Sequence, residues 1–518
     1  MQKLKYVELF AGCGGLSLGL ESAGWELEFA NELSPMAAET FAYNLLGVDI
    51  ESVPVKNCPV VLKIDQLKTM ALEDWINKKL IVGDVVELVQ ILRDRTELLE
   101  RLKNVDLISG GPPCQGFSMA GRRSERDHKN RLPYAFVDFV ELIKPKAVIL
   151  ENVEGILRKF TSDGGNKEPW LEIAKSFAFI GYAPICLFIN AKSFGIPQNR
   201  PRFIMLGLRK DLKKIILEKI KKKSVKEVYE VFTSAFSFAE EDPQFIWNYN
   251  GNDKAVYVGV VNEKLASFRE MDPLDIFKES NFFPEFSKEI VSVMEAINDL
   301  SNNGNTQKDY VLKNTKGTDY SNNINHIFSK YIKHPDAHLN GVFNHEVRKH
   351  KPITINRFVL LQESSKFLNK ELRTYLQSFL KGEIVSIENI DKLRLRLKEI
   401  PKINEIIKVD YLSEFMSSLR ELRSKKQIQR PLMEDSPAPA QLTIPDDFCH
   451  YSSSQPRVLT VREMARIQSF PDSFVFKSKV TTGGKNRKSE VPQYTQVGNA
   501  VPPILGNRIG EWVKNILK

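Results

Sequence analysis

The chain has 518 residues, 42% hydrophobic and 27% charged, an ordinary globular make-up long enough for a large core and more than one domain. No apolar run approaches a membrane span, and Met1-Gln2-Lys3-Leu4-Lys5 leads straight into a predicted strand, so neither a membrane protein nor an exported one is expected. The five cysteines, Cys13, Cys58, Cys114, Cys186 and Cys449, form no Cys-x-x-Cys pair, which argues against a disulfide framework and a zinc cluster; the net charge of +9 suits a polyanionic partner without requiring one.

Residues 5–10 read as a first strand, followed by the turn Ala11-Gly12-Cys13-Gly14-Gly15 and a helix over residues 16–23. Such a turn brings backbone N–H groups close to a ligand at a helix N-terminus. It lacks Gly-Lys-Ser/Thr, and its glycine spacing is not Gly-x-Gly-x-x-Gly, so a nucleoside without a polyphosphate fits better than a nucleotide. A second strand over 26–31 ends at Glu32, about twenty residues on, where a carboxylate can accept hydrogen bonds from ribose hydroxyls. Asp84 follows the apolar run Leu80-Ile81-Val82 and offers another carboxylate, against an adenine amine.

Asp106-Leu107-Ile108-Ser109 reads as a buried strand, and Gly110-Gly111-Pro112-Pro113 then forces the backbone out into a stiff turn that displays Cys114. In an open α/β sheet the ligand crevice lies at the carboxyl ends of the strands, which makes this thiol a candidate nucleophile. The basic stretch from Arg122 to Arg131 reads as a flap over a phosphate backbone, and a helix is predicted over 133–143. A strand over 147–150 delivers Glu151 to the same edge as Cys114. Two further strands, 183–189 and 203–208, flank Gln198-Asn199-Arg200-Pro201-Arg202, whose arginines suit carboxylates, phosphates or carbonyl oxygens.

Beyond residue 209 the signals thin out. Lys219-Ile220-Lys221-Lys222-Lys223, a polar stretch over 301–325 and a helical stretch over 370–426 follow one another with nearly balanced charge and no repeat. His345 and His350 are five apart where a zinc-binding helix wants four, so hydrogen bonding or phosphate contact is expected instead. Ser436-Pro437-Ala438-Pro439-Ala440 reads as a linker. Residues 457–488 hold eight basic and two acidic side chains, a local excess of the kind phosphate contacts need. A last helix is expected over 503–517, packed back on the first strands.

Six blocks in this order resemble the cytosine-5 DNA methyltransferases: Phe10-Ala11-Gly12-Cys13-Gly14-Gly15; Gly111-Pro112-Pro113-Cys114-Gln115-Gly116-Phe117-Ser118; Glu151-Asn152-Val153; Gln198-Asn199-Arg200-Pro201-Arg202; the stretch from Arg457 to Pro471; and Gln496-Val497-Gly498-Asn499-Ala500-Val501-Pro502. The resemblance covers roughly the first 210 and the last 60 residues. It implies an α/β fold with a Rossmann-like, S-adenosylmethionine-dependent methyltransferase domain over 1–208, completed by 492–518. A target-recognition domain over 209–491 would include the block 457–471.

The implied reaction transfers a methyl group from S-adenosylmethionine to C5 of a cytosine turned out of double-stranded DNA. Cytosine C5 is a poor nucleophile, so the Cys114 thiolate first attacks C6. By resemblance Glu151 meets N3 and the exocyclic amine, Arg202 faces O2, and Arg200 completes the catalytic group; a carboxyl group that donates to N3 must carry a proton. The same resemblance gives the cofactor Phe10, Ala11, Gly12, Cys13, Gly15, Glu32, Leu33, Asp84, Val85, Pro112, Leu132, Asn499 and Val501, and implies no metal. It implies a cytoplasmic, nucleoid-associated monomer and admits a separately encoded restriction endonuclease. An RNA cytosine-5 methyltransferase and a catalytically inactive DNA-binding relative are the competing readings. A zinc deaminase is excluded because Phe117 stands where its Pro-Cys-x-x-Cys motif needs the second cysteine.

Overall fold

The computed structural model describes residues 3–52, 55, 58–113, 132–157, 168–223, 226–248, 290–301, 306, 311–313, 315–338, 341–424, 429–440, 448–484, 486 and 489–518. Its strands in chain order begin with β1 (Lys5–Leu9), β2 (Glu26–Glu32), β3 (Val61–Lys63), β4 (Leu80–Val82) and β5 (Leu107–Gly110). They continue with β6 (Ala147–Val153), β7 (Tyr182–Asn190), β8 (Gln198–Asn199) and β9 (Pro201–Arg209). Eight of these form one sheet in the order β3-β4-β2-β1-β5-β6-β9-β7. The sheet is parallel from β3 through β6, and β9 runs antiparallel to both β6 and β7.

Strands buried on both faces read as unbroken apolar runs because each face needs its own cover. Alternate residues of β1 accordingly feed two cores. Tyr6 joins the core made with helices Gly15–Ser22 and Pro503–Leu517. Val7 and Leu9 join the core made with helices Val85–Asp94, Leu132–Ile143 and Pro169–Phe179. The C-terminal helix reaches the sheet through Gly15–Ser22: a Cβ on Gly19 would lie 2.5 Å from the Asn507 amide nitrogen and the Pro503 carbonyl oxygen, so only a bare glycine permits this approach. The Trp25 indole N–H donates to the Gly510 carbonyl at 2.9 Å and fixes the same contact from its far end.

Helices Lys213–Lys223 and Lys226–Glu240 follow β9, and Ile216, Phe232, Ala235 and Phe236 share the first core with the sheet. Helices Val293–Ile297 and Asp319–Phe328 join it too. A separate core is built by Pro352–Phe367, Lys370–Lys381, Ile387–Lys398, Pro401–Asn404 and Leu412–Glu421. The helical stretch predicted over 370–426 is therefore several short helices, interrupted where Gly382 takes φ 90° and where Pro401 starts a new helix. The predicted linker over 436–440 does bring the chain back to the sheet-bearing part. Ala438 and Pro439 pair in parallel with Gln198 and Asn199 of β8, so that segment is part of the scaffold beside the site.

Three of the eight basic residues over 457–488 are not available to a phosphate surface, and three more, Lys485, Arg487 and Lys488, lie outside the described residues. Arg457, Arg462 and Arg466 are buried, at 5%, 0% and 1% exposure. Arg457 makes a two-pronged pair with Glu463 at 2.7 Å on each arm. Arg466 binds Asp472 at 2.8 and 2.9 Å and Asp299 at 2.5 Å. Arg462 donates to the carbonyls of Phe343, Pro471 and Phe474. Composition counts charges but cannot see which are consumed, here by Glu463 and Asp472 six residues on and by Asp299 and the Phe343 carbonyl from distant segments. His345 has a buried hydrogen-bonding role, between the Thr460 hydroxyl at 2.9 Å and the Leu300 carbonyl at 3.1 Å.

Glu463 gives a test of this network. Burial alone would raise its carboxyl, but Arg457 more than offsets that and holds it at about 2 against an ordinary 4.5. A depressed acid stabilises the fold fully above its unfolded value and loses that contribution as pH falls through the folded one. The contribution, about 3 kcal/mol by linkage, should disappear between about pH 4.5 and about pH 2. Glu463→Gln leaves Arg457 buried without its partner and should cost about 3 kcal/mol or more at pH 7. Urea unfolding at several pH values should show a shallower acid limb in the variant; an unchanged limb would assign the acid sensitivity elsewhere.

Candidate active site

Strand order brings the candidate residues to one edge. The chain leaves β1 toward β2 on one side and later returns to β5 on the other, so the β1/β5 boundary is the switch point at which open α/β sheets bind ligands. Phe10 follows β1, Glu32 ends β2, Asp84 follows β4 and Gly111-Pro112 follows β5. Glu151 lies near the carboxyl end of β6, and antiparallel β9 returns Arg202 to the same edge.

On the β1 side the turn offers mainly backbone. Phe10 has φ 56°, a left-handed conformation rare outside glycine and held by the surrounding structure. Ala11 and Cys13 are buried, and the Cys13 thiol, which burial pushes up, faces the Gln496 carbonyl at 3.7 Å. A Cβ on Gly12 would have nothing within 4 Å, so this glycine opens onto free space. The Glu32 carboxylate accepts from the amides of Gly12 at 2.8 Å and Ser34 at 2.7 Å. Burial raises its pKa and those two amides oppose the shift. Leu33 beside it is 64% exposed at the same edge. Beneath the turn Glu8 is buried on β1 and accepts from the Ser17 hydroxyl, and burial pushes its carboxyl up to about 8.

Asp84 caps helix Val85–Asp94, one oxygen accepting from the Val86 amide at 2.8 Å. Val85 is buried in the core whereas Val86 is exposed, so of these two side chains Val86 faces outward. Leu132 opens its helix half-buried against the second core. Asn499 is exposed at the end of helix Gln493–Asn499. The carbonyl of buried Val501 lies where a side chain on Gly15 would have to go, so the C-terminal block closes onto the glycine turn.

On the β5/β6 side the register does the assembling. Arg202 lies opposite Val153 and Ile204 opposite Glu151, so Glu151 and Arg202 are diagonal neighbours on one face. Their charged groups form an ion pair at 2.7 Å, both largely buried. The Arg202 Nε–H finds no aligned acceptor, which makes the contact electrostatic more than hydrogen-bonded. A Cβ on Gly111 would stand 2.9 Å from the Glu151 carboxylate, so the glycine leaves that carboxylate its place. The Asn152 amide donates to the Pro112 carbonyl at 3.2 Å and anchors the loop leading out of β5.

The two arginines divide. Arg200, expected among the catalytic groups, is 2% exposed and turned into the protein, where it donates to the carbonyls of Gly498 at 2.8 Å and Ala500 at 3.1 Å and to Gln198 at 3.2 Å. Burial and neighbouring Arg202 lower its pKa well below the ordinary arginine value. Two residues from Arg202, it was expected to share that arginine's role, but its terminal N–H groups are taken by two carbonyls of the C-terminal block and by Gln198, and its Nε–H has no acceptor among the described residues. Cys114 and the basic stretch from Arg122 to Arg131 lie outside the described residues; the described backbone reaches Pro113, next to Cys114 in sequence. Asn152 and Gln468 were within recognised blocks, yet no sequence signal announced their partners, which come from other segments.

A family model described as C-5 cytosine-specific DNA methylase matches residues 4–68 and 77–515. Among known proteins, the chain is 24% identical over 517 residues to the type II methyltransferase M.DdeI of Desulfomicrobium norvegicum, covering 98% of this chain and 88% of that protein. It is 25% identical over 520 residues to the type II methyltransferase M.AgeI of Thalassovita gelatinovora, covering 99% of each. A solved prophage-encoded E. coli protein, described as a DNA modification methyltransferase, superposes with a TM-score of 0.52 at 20% identity over 99% of both chains, a likeness of fold. With the family model matching nearly the whole length, this chain belongs to the C-5 cytosine-specific DNA methylases.

Proposed function

We propose that the chain methylates C5 of a cytosine rotated out of double-stranded DNA, with S-adenosylmethionine as methyl donor and Cys114 as nucleophile. The observation that carries this reading is the Glu151–Arg202 pair at 2.7 Å, set over Gly111 at the carboxyl edge on the loop that leads to Cys114. A nucleoside fits the β1 side of the edge: open space at Gly12, a carboxylate at Glu32 for ribose hydroxyls, an exposed Leu33 for an adenine face and a free oxygen on Asp84 for its amine. When bound, S-adenosylmethionine supplies the methyl group that C5 receives.

The protein's own groups make C5 nucleophilic. The Cys114 thiolate adds to C6, and electron density moves through C5 toward N3 and O2. Glu151, ionised beside Arg202, must first take up a proton and can then donate it to N3, while Arg202 faces O2, so the developing charge meets groups held at that edge. After methylation a base takes the C5 proton, the C6–S bond breaks to release the thiolate, and N3 gives its proton back to Glu151, which restores the ring. An attacked face that is stacked in a duplex requires the base to leave the helix. We assign target reading to residues 209–456, since base-edge recognition needs side chains carried apart from the chemistry. Type II names among the relatives support duplex DNA as substrate and a separate endonuclease as counterpart.

Transfer of labelled methyl groups to duplex DNA but not to transfer RNA is the expected result; preference for transfer RNA would overturn the substrate. Glu32→Ala should weaken S-adenosylmethionine binding by about 10- to 100-fold, the scale of losing hydrogen bonds to a charged group. Calorimetry on a variant that melts near the wild type reads this, and unchanged affinity would remove Glu32 from the pocket.

A further inference from the structure

Gln468 has no part in the reaction as derived, yet it joins the two sides of the site. Its side chain is wholly buried, with Oε1 accepting from the Gln198 amide at 2.9 Å. Its Nε2 donates to the carbonyls of Val497 at 2.8 Å and Ala500 at 3.4 Å. Gln198 Oε1 accepts from Arg200 at 3.2 Å, and Arg200 closes a ring of hydrogen bonds on the Gly498 and Ala500 carbonyls. Three segments distant in sequence thereby meet through the buried side chains of Gln198, Arg200 and Gln468: 198–202, which carries Arg202, residue 468, and the turn 497–501. The turn presents exposed Asn499 and sets the Val501 carbonyl against Gly15.

We propose that Gln468 is a positioning residue for S-adenosylmethionine, its amide fixing the 497–501 turn against the glycine turn. This rests on the assignment of Asn499 and Val501 to the cofactor pocket. The main-chain groups it holds are carbonyls; a methionine of similar volume removes one donor from each, leaving Val497 with the Ala500 amide at 3.3 Å and Ala500 with Arg200 at 3.1 Å, so the turn is held less firmly. Buried glutamines also serve packing alone, and the molecule supplies a matched control: Gln362 is equally buried and donates to two carbonyls, His450 at 2.6 Å and Gln455 at 3.0 Å, in helix Pro352–Phe367.

The experiment titrates S-adenosylmethionine calorimetrically into the full-length wild type, Gln468→Met, Gln468→Glu, Gln362→Met and Asn499→Ala, with a melting curve and a cofactor-free duplex DNA titration for each. Gln468→Met should raise the cofactor Kd about tenfold while duplex binding stays within about twofold. Gln362→Met should lower the melting temperature by a similar amount and leave the cofactor Kd at the wild-type value. Gln468→Glu keeps the size and the acceptor for Gln198 but loses both donated bonds, so it should weaken binding in the same direction and decides the matter if the methionine variant does not fold. Wild-type cofactor affinity in a folded Gln468 variant, or an equal loss in Gln362→Met, overturns the proposal. If Asn499→Ala binds as the wild type does, the pocket assignment beneath it falls instead.

Discussion

Cys114→Ser should abolish methylation, with a loss of about a thousandfold or more, and should also abolish any covalent enzyme–DNA adduct. A serine hydroxyl ionises far less readily than a thiol, so attack at C6 fails and C5 never becomes nucleophilic. The adduct is the more decisive readout. On DNA carrying 5-fluorocytosine the C5 substituent cannot leave as a proton, elimination stops after methyl transfer, and the wild-type protein should stay attached through a denaturing gel. Trapping should require the cofactor. Cys13→Ser is the control for generic thiol damage, since that thiol is buried against the Gln496 carbonyl, and it should still be trapped. A Cys114→Ser protein that remained trapped would place the nucleophile elsewhere.

Glu151→Gln should lower kcat by about 10²- to 10³-fold, the usual size of losing one preorganised partner of developing charge. The amide keeps the shape and the proximity to Arg202 but cannot release a proton to N3. Binding of duplex DNA should change little, because phosphate contacts dominate that affinity. Gly111→Ala tests the same chemistry from the backbone side. Its new Cβ would stand 2.9 Å from the Glu151 carboxylate, which must move away from its position. Misplacing a catalytic group by a fraction of an ångström should cost about 10- to 100-fold in kcat with the fold retained. Single-turnover methylation reads both variants, and a Gly111→Ala enzyme as fast as the wild type would show that the carboxylate's place is not critical.

The α/β framework was legible because it depends on local signals. Buried strands at 107–110 and 147–150 are continuous apolar runs, and the glycine turn at 11–15 must leave the sheet whatever surrounds it. Motif order therefore places Phe10, Glu32, Asp84 and Pro112 at strand ends, since each follows or ends its own strand, and Glu151 near one, although β6 runs on to Val153. Where a residue's role depends on who stands next to it, the same sequence was silent or misleading. Arg457, Arg462 and Arg466 counted as positive charge but are spent on Glu463, Asp472, Asp299 and main-chain carbonyls. Arg200 and Arg202 look alike two residues apart, yet one closes a buried ring and the other faces Glu151. Residues 436–440 read as a linker, and the sequence did not say that Ala438 and Pro439 pair with β8.

The sequence by itself determined the order of strands, turns and chemistry-bearing residues, because hydrophobic period, glycine and proline act within a few positions of the chain. Only the tertiary structure decided which of those residues share a site. Glu151 meets Arg202 through an antiparallel register, and Gln198, Gln468 and the 497–501 turn meet across about 270 and 30 residues of chain. A buried polar group must find its partner wherever the fold brings one, and the identity of that partner is not encoded in the residues on either side of it.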